Sequence, residues 1–349
     1  MSSITASHRR FWPRRPRRAA LALAATALAA GVVAGPASAD SSTPPDASAN
    51  YGFQTIDNPQ DLTFNQLLGI NDSGTISGYF GSGQPGHPNK GYVIPSQAHG
   101  SMQSRHLDRG RQLQPTFVPE NFPGSAQTQV TGLNNTGVTV GFWADTAGDN
   151  FGFYKADGHY HQVDFPTQDA PNPSFDQLLG VNDEGVAVGV YATETDGQAV
   201  NNGYVYDIRT HRYAQVQVSG DTNVTAAAIN DRGCIAGFGT NAAGNTEGFL
   251  RRLNGQVIHL NVPGATTTQA TGVNNHNEVV GNYTVVIGSG STATTMTYGF
   301  VWTLRSGFKT INDPNGIGAT TVNGVNDRGA LVGFYTDSTG NTDGFVARP

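Results

Sequence analysis

Gly69-Ile70-Asn71-Asp72-Ser73-Gly74-Thr75-Ile76-Ser77-Gly78 is the first of six renderings of one phrase. The others begin at Gly132-Leu133-Asn134, Gly180-Val181-Asn182, Ala228-Ile229-Asn230, Gly272-Val273-Asn274 and Gly324-Val325-Asn326. A glycine follows each asparagine by seven residues, at Gly78, Gly141, Gly189, Gly237, Gly281 and Gly333. Successive asparagines stand 63, 48, 48, 44 and 52 residues apart. A period in this range marks a tandem array of one supersecondary unit.

Each unit reads as four short strands. The first is apolar and ends in the Gly-Ile-Asn triplet. A tight turn follows, whose fourth position is Gly74, Gly137, Gly185, Gly233 or Gly329, with Asn277 in the fifth copy. Only Gly and Asn adopt left-handed backbone cheaply, so this position is expected at positive φ. The second strand is Ile76-Ser77-Gly78-Tyr79 and its equivalents. A variable loop then leads to a third strand marked by a Gly-aromatic pair: Gly91-Tyr92, Gly152-Phe153, Gly203-Tyr204, Gly248-Phe249, Gly299-Phe300 and Gly344-Phe345. A fourth strand, such as Val257-Ile258-His259-Leu260, is broken by Pro or Gly. Four strands in roughly 40–50 residues match a propeller blade. The fold expected is therefore all-β: one domain over 51–349, a six-bladed β-propeller of four-stranded blades. The long first spacing holds an insertion near Ser96 to Pro115. The chain enters on a fourth-type strand, 51–57, and leaves on a third-type strand, 344–348. Pairing the two completes the sixth blade and closes the ring, hiding an edge that would otherwise template aggregation.

The first 39 residues read as a signal peptide. Six arginines precede the apolar run Ala19–Ala34, and Ala37-Ser38-Ala39 supplies a small-x-small cleavage site. Sec export fits better than twin-arginine export. Residues 40–50 are rich in Ser, Pro and Ala and read as a disordered lead-in. Of the 20 basic residues six leave with the signal peptide, so 14 remain against 26 acidic ones, a net charge near −12. Such a surface repels phosphate backbones and anionic lipid, which argues against nucleic acid and membrane insertion. Cys234 is the one cysteine, which precludes an intrachain disulfide; it reads as a small strand residue.

The phrase Ile-Asn-x-x-Gly-x-Val-Val-Gly followed by Gly-Phe-Val resembles the HAF-type extracellular repeat family of bacterial secreted proteins. That family combines the Asn-x-x-Gly turn with a later His-Ala-Phe. Here Gly stands for the Ala, and Lys90, Asn202, Glu247, Tyr298 or Asp343 precedes it in place of His. The resemblance spans nearly all of the chain after residue 39. It implies a secreted, β-propeller-like protein and no established activity.

No Gly-x-Ser-x-Gly elbow, Walker loop or His-Glu-x-x-His occurs. The turn residues Asn71, Asn134, Asn182, Asn230, Asn274 and Asn326 could form a ring of metal or sugar ligands. Their sixfold recurrence favours a structural role, each side chain capping its own turn. Asp145–Asn150 and Asp337–Asp343 carry part of a calcium-loop pattern without its closing Glu, so solvated hairpins and no cofactor are expected. His159 and His161 share a strand face but show no third ligand. Acidic candidates for glycoside chemistry are Asp57, Asp72, Glu120, Asp145, Asp164, Asp183, Asp196 and Asp337. Asn71, Asn134, Asn223 and Asn282 open Asn-x-Ser/Thr triplets, a weak signal behind a bacterial-type leader. The loops between second and third strands vary most, and Phe80, Trp143, Tyr191, Tyr283 and Tyr335 sit where they begin. These aromatics form the candidate ligand-binding rim, with packing between blades as the alternative. The role expected is a secreted monomer that binds or scaffolds without catalysis, its partner a glycan or protein. The alternatives are an extracellular polysaccharide lyase or glycosidase, and a structural envelope or spore-surface protein.

Overall fold

The computed structural model describes residues 44–96, 115–166, 175–195 and 198–349. The expected signal peptide lies outside them, as do residues 97–114 of the expected insertion. Strand β1 (Gly52–Ile56) opens the array. The first blade is β2 (Asn65–Ile70), β3 (Ile76–Phe80), β4 (Lys90–Ile94) and β5 (Val118–Pro119). The second is β6 (Gln127–Leu133), β7 (Thr139–Ala144), β8 (Asn150–Ala156) and β9 (His159–Val163). The third is β10 (Asp176–Val181), β11 (Val186–Thr195), β12 (Gln198–Asp207) and β13 (Arg212–Gln215). The fourth is β14 (Thr222–Ile229), β15 (Ile235–Thr240), β16 (Thr246–Arg251) and β17 (Val257–Leu260). The fifth is β18 (Thr267–Val273), β19 (Val279–Ile287), β20 (Thr294–Thr303) and β21 (Gly307–Ile311). The sixth comprises β22 (Thr320–Val325), β23 (Leu331–Thr336), β24 (Thr342–Arg348) and, as its outer strand, β1. Within every blade neighbouring strands are antiparallel, and in the first five they are sequential. A single parallel pair, Thr246 with Thr267, joins the fourth and fifth blades into one eight-stranded sheet. The β1–β24 register runs from Gly52 opposite Arg348 to Ile56 opposite Gly344, so first and last strands seal the ring.

Each element of the repeated phrase has a steric or hydrogen-bonding cause. All six inner strands carry a register shift just before the phrase or at its start, at Leu67/Gly69 in the first blade and Val322/Gly324 in the sixth. The small residue at that point lets neighbouring inner strands approach. A Cβ on Gly132 would lie 3.1 Å from the Gly180 Cα, and one on Gly324 would lie 3.4 Å from the Gly69 Cα. The turn glycines take φ of 71° to 90°, and Asn277 takes 58°. The later glycine faces the carbonyl exposed by the bulge. A Cβ at Gly281 would collide with the Gln269 carbonyl oxygen and sit 2.9 Å from the Phe300 ring. That space belongs to the third-strand aromatic. Tyr92, Phe153, Tyr204, Phe249, Phe300 and Phe345 are all under 2% exposed. Burying a side chain of this size contributes roughly 1.5–3 kcal/mol, and the six recur at one level of the ring.

The cores lie between blades. Val140 and Tyr154 of the second blade pack with Leu178, Ala187 and Tyr204 of the third. Val280 and Val301 of the fifth pack with Val322, Leu331 and Phe345 of the sixth. A blade alone would leave these faces wet, so the array is stable only as a set.

A disordered lead-in over 40–50 does not hold from Pro44 onward. The Thr310 N–H donates to the Pro45 carbonyl at 3.0 Å, and the Ala47 N–H donates to the Thr310 carbonyl at 2.9 Å. Ala47 is buried in the core shared by the fifth and sixth blades. A 3-10 turn, Ser48–Asn50, then delivers the chain to β1. Composition concealed this because the segment is held mainly by backbone bonds to the outer edge of β21, helped only by the small Ala47 side chain in the core and by Ser48 Oγ, which accepts the Asn312 N–H at 2.8 Å.

Candidate functional site

The six Asn-Asp/Asn turns meet around the axis. Each asparagine works twice. Its Oδ1 accepts the backbone N–H four residues on, as Asn71 does from Thr75 (3.0 Å) and Asn230 from Cys234 (2.9 Å). Its Nδ2 donates to the main-chain carbonyl of the corresponding asparagine in the next blade. The series runs Asn71 to Asn134, Asn134 to Asn182, Asn182 to Asn230, Asn230 to Asn274, Asn274 to Asn326, and Asn326 back to Asn71. All six bonds span 2.8–3.1 Å.

The next residue in each turn forms a second ring. The backbone N–H of Asp72 donates to Asn135 Oδ1, Asn135 to Asp183, Asp183 to Asp231, Asp231 to Asn275, Asn275 to Asp327, and Asp327 to Asp72. Asn135 and Asn275 stand three blades apart. Each donates its amide to the Oδ2 atoms of both flanking aspartates, at 2.6–2.9 Å. Every carboxylate oxygen of Asp72, Asp183, Asp231 and Asp327 thus accepts at least one hydrogen bond. The mouth they line encloses about 70 Å³. Small-molecule sites span about 300–1,000 Å³, so this mouth fits waters or an ion and not a sugar ring.

The structure does not gather the aromatic rim. Tyr191, Tyr283 and Tyr335 are buried. Tyr191 stacks on Phe165 with centroids 4.1 Å apart, and Trp143 lies against Phe122 and Phe151 at 4.7 and 4.6 Å. The Tyr283 hydroxyl bonds Thr310 and that of Tyr335 bonds Thr55, at 2.8 and 2.9 Å. Phe80 is half-buried against the Ile56, Ile76 and Ile94 cluster. In the second and third blades, the residue covering the aromatic comes from the turn that enters the blade, a contact that no within-strand pattern discloses.

The acidic candidates are dispersed. Asp72 and Asp183 reach the mouth. Glu120 is buried, accepting from the Thr139 hydroxyl and pairing with Lys155 Nζ at 2.7 Å. The Oδ1 atoms of Asp145 and Asp337 each accept two N–H groups of their own hairpins. Asp57 Oδ1 and Asp164 Oδ1 are buried without a hydrogen-bond partner. Burial, with Asp343 nearby, raises the Asp57 carboxyl to about 6, and burial also raises Asp164. Asp196 lies outside the described residues. His159 and His161 are exposed, His161 stacking on Tyr154.

One cluster breaks the repeat. At the position of Phe80, Trp143, Tyr191, Tyr283 and Tyr335, the fourth blade has Gly239. Asp221, from the turn before β14, occupies the vacated space: a Cβ on Gly239 would lie 3.0 Å from its Cβ and 3.1 Å from its Oδ2. Glu247, opening β16, and His259, on β17, complete the group. His259 Nδ1 stands 2.7 Å from Glu247 Oε1. Asn241 and Asn261 donate to Glu247 Oε2 at 3.1 and 2.7 Å. Both Asp221 oxygens are shielded from solvent and receive no N–H or hydroxyl donor; the carboxyl beside them is that of Glu247, close enough for the two to share a proton. Burial and the Glu247 carboxylate beside it raise Asp221 to about 6. Burial works to raise Glu247 too, but donors from Asn261 and Asn241, contact with Asp221 and the charge of His259 bring it below the ordinary range. Sequence reading missed these three residues, although the loss of an aromatic in one copy of six was a visible signal.

A groove of about 530 Å³ lies between the sixth and first blades, over Ile56, Ile70, Ile76, Ile94 and Ala330. It is bounded by Ser96 and Pro115.

No protein-family model and no curated protein matches the sequence. Several solved structures are similar in fold. TolB from Acinetobacter baumannii aligns at 9% identity and a TM-score of 0.44, over 78% of this chain and 63% of that one. The chain thus spans less than two thirds of TolB. The subtype N11 neuraminidase-like protein of A/flat-faced bat/Peru aligns at 11% identity and a TM-score of 0.41, over 88% and 95% of the two chains. The subtype N10 neuraminidase-like protein of A/little yellow-shouldered bat/Guatemala aligns at 10% and 0.41, over 85% and 98%.

Proposed function

We propose that this chain is a secreted, monomeric propeller of the HAF-type extracellular repeat class that binds or scaffolds a glycan or protein without catalysis. The observation that carries this reading is the axial mouth. Four carboxylates from four blades converge there, the arrangement a lyase or glycosidase in the central pocket would need. Yet each is tied by a backbone N–H and by an asparagine amide, and the space they enclose is too small for a pyranose. A general acid or base must reach its substrate within hydrogen-bond distance, and these groups instead hold neighbouring blades together. Export and the repeat-class assignment rest on the Arg-rich, Ala-rich leader and on the six phrases. The net acidic chain after residue 39 favours cationic or neutral partners.

The test is a polysaccharide-cleavage screen run beside a glycan array on residues 40–349. The reading expects no new reducing ends or unsaturated products on any polymer. Turnover abolished by Asp183→Asn or Asp327→Asn in a protein of unchanged stability would overturn it in favour of the enzyme.

A further inference from the structure

We propose that Asp221, Glu247 and His259 form a binding site for a zinc-class divalent cation on the face opposite the axial mouth. Their ligand atoms lie within 4.8 Å of one another. Two carboxylates and one imidazole are a donor set that zinc accepts, whereas calcium takes oxygen ligands alone.

Three further observations separate this group from a chance acidic cluster. The first is the orphaned Asp221 carboxylate. A shielded anionic oxygen pair with no donor is costly, and beside a second carboxylate it requires a proton or a cation. The second is the cradle at Gly239. The five aromatics at this position in the other blades would fill the space, and even an alanine methyl would press on Asp221. The third is the outer support. Asn241 and Asn261 both hold Glu247 Oε2, turning Oε1 toward His259 and Asp221, as supporting hydrogen bonds orient ligands in metal sites.

The site also has an entry. The His259 side chain is 39% exposed, while that of Glu247 is 9% exposed. A cation arriving from solvent meets the imidazole first, and water completes its coordination on the open side. The other blades do not repeat the trio. Glu247 corresponds to Lys90, Phe151, Asn202, Tyr298 and Asp343, and His259 to Pro119, Gln162, Gln215, Thr310 and Thr55.

Calorimetric titration of untagged residues 40–349 with Zn²⁺ tests the proposal. One saturable site per chain is expected. Zn²⁺ should raise the melting temperature, as any ligand specific to the native state does. Asp221→Asn and His259→Gln should each weaken binding by about ten-fold or more and remove the thermal shift. His159→Gln with His161→Gln should leave both unchanged. His259→Gln alters a partly exposed side chain and remains informative if Asp221→Asn does not fold. Absence of saturable Zn²⁺ binding, binding untouched by His259→Gln, or a preference for Ca²⁺ over Zn²⁺ would overturn the site and assign the trio to a shared proton.

Discussion

Replacing Asn326 by alanine removes one of the side chains that link the last blade to the first. Asn326 is 5% exposed. Its Nδ2 donates to the Asn71 carbonyl at 3.0 Å, and its Oδ1 accepts from the N–H groups of Arg328 at 3.1 Å and Ala330 at 3.0 Å. An intramolecular hydrogen bond contributes about 0.5–1.5 kcal/mol net, and a buried partner left unsatisfied costs more. Three bonds with a buried Ala330 N–H therefore set the expected loss at about 2–4 kcal/mol, a large share of the roughly 5–15 kcal/mol typical of a folded domain. Urea unfolding followed by tryptophan fluorescence measures it. Asn326→Asp divides the two roles. It keeps the acceptor for the turn but sets a carboxylate oxygen against the Asn71 carbonyl. That variant should be destabilised at pH 7 and recover as pH falls through its raised pKa, where the protonated carboxyl can donate. A loss below about 0.5 kcal/mol for Asn326→Ala, or a pH-independent Asn326→Asp, would refute the inter-blade role of the amide.

Other expectations follow from the same geometry. Gly281→Ala sets a methyl against the Gln269 carbonyl and the Phe300 ring and should cost about 3 kcal/mol or more or yield insoluble protein; overpacking on this scale has no soft neighbour to absorb it. Asp176 is fully buried, and burial raises it to about 7 although the Tyr204 hydroxyl and the Phe165 N–H bond its carboxyl. The folded state then holds a proton that the unfolded chain releases near pH 4, so stability should fall as pH rises from about 4 to 7. Asp176→Asn should flatten that slope in pH-dependent urea melts, and an unchanged slope would count against the assignment. Deleting Tyr51–Asp57 strips β1 from β24 and should yield aggregates by light scattering; a monomer of undiminished stability would contradict the seal.

The repeat made the fold legible because each turn glycine and strand aromatic has a local cause that one blade's sequence states. Ring closure was legible for the same reason, since 51–57 and 344–348 each lack a partner of their own. The asparagine ring was half-legible. Capping a turn needs only an acceptor, which Asp or Ser would supply; six asparagines and no substitute imply that the Nδ2 donor is used as well. Its acceptor lies 44 to 63 residues away or across the closure, where no local pattern reaches. The rim aromatics failed for a related reason, because Phe165 and Phe122 cover Tyr191 and Trp143 from turns that sequence alone does not place. The ordered lead-in was hidden because Pro45 and Ala47 bind through their backbones.

A register-specific crosslink tests the closed ring most directly. Gly52 and Arg348 are opposite one another in the β1–β24 ladder, both exposed, and a Cβ at Gly52 meets nothing closer than 3.9 Å. Cysteines at both positions, with Cys234→Ala, should form an intrachain disulfide under mild oxidation, giving a monomer that migrates faster on non-reducing gels and unfolds at higher urea. Free thiols after oxidation, or crosslinks only between chains, would contradict a ring sealed by its first and last strands.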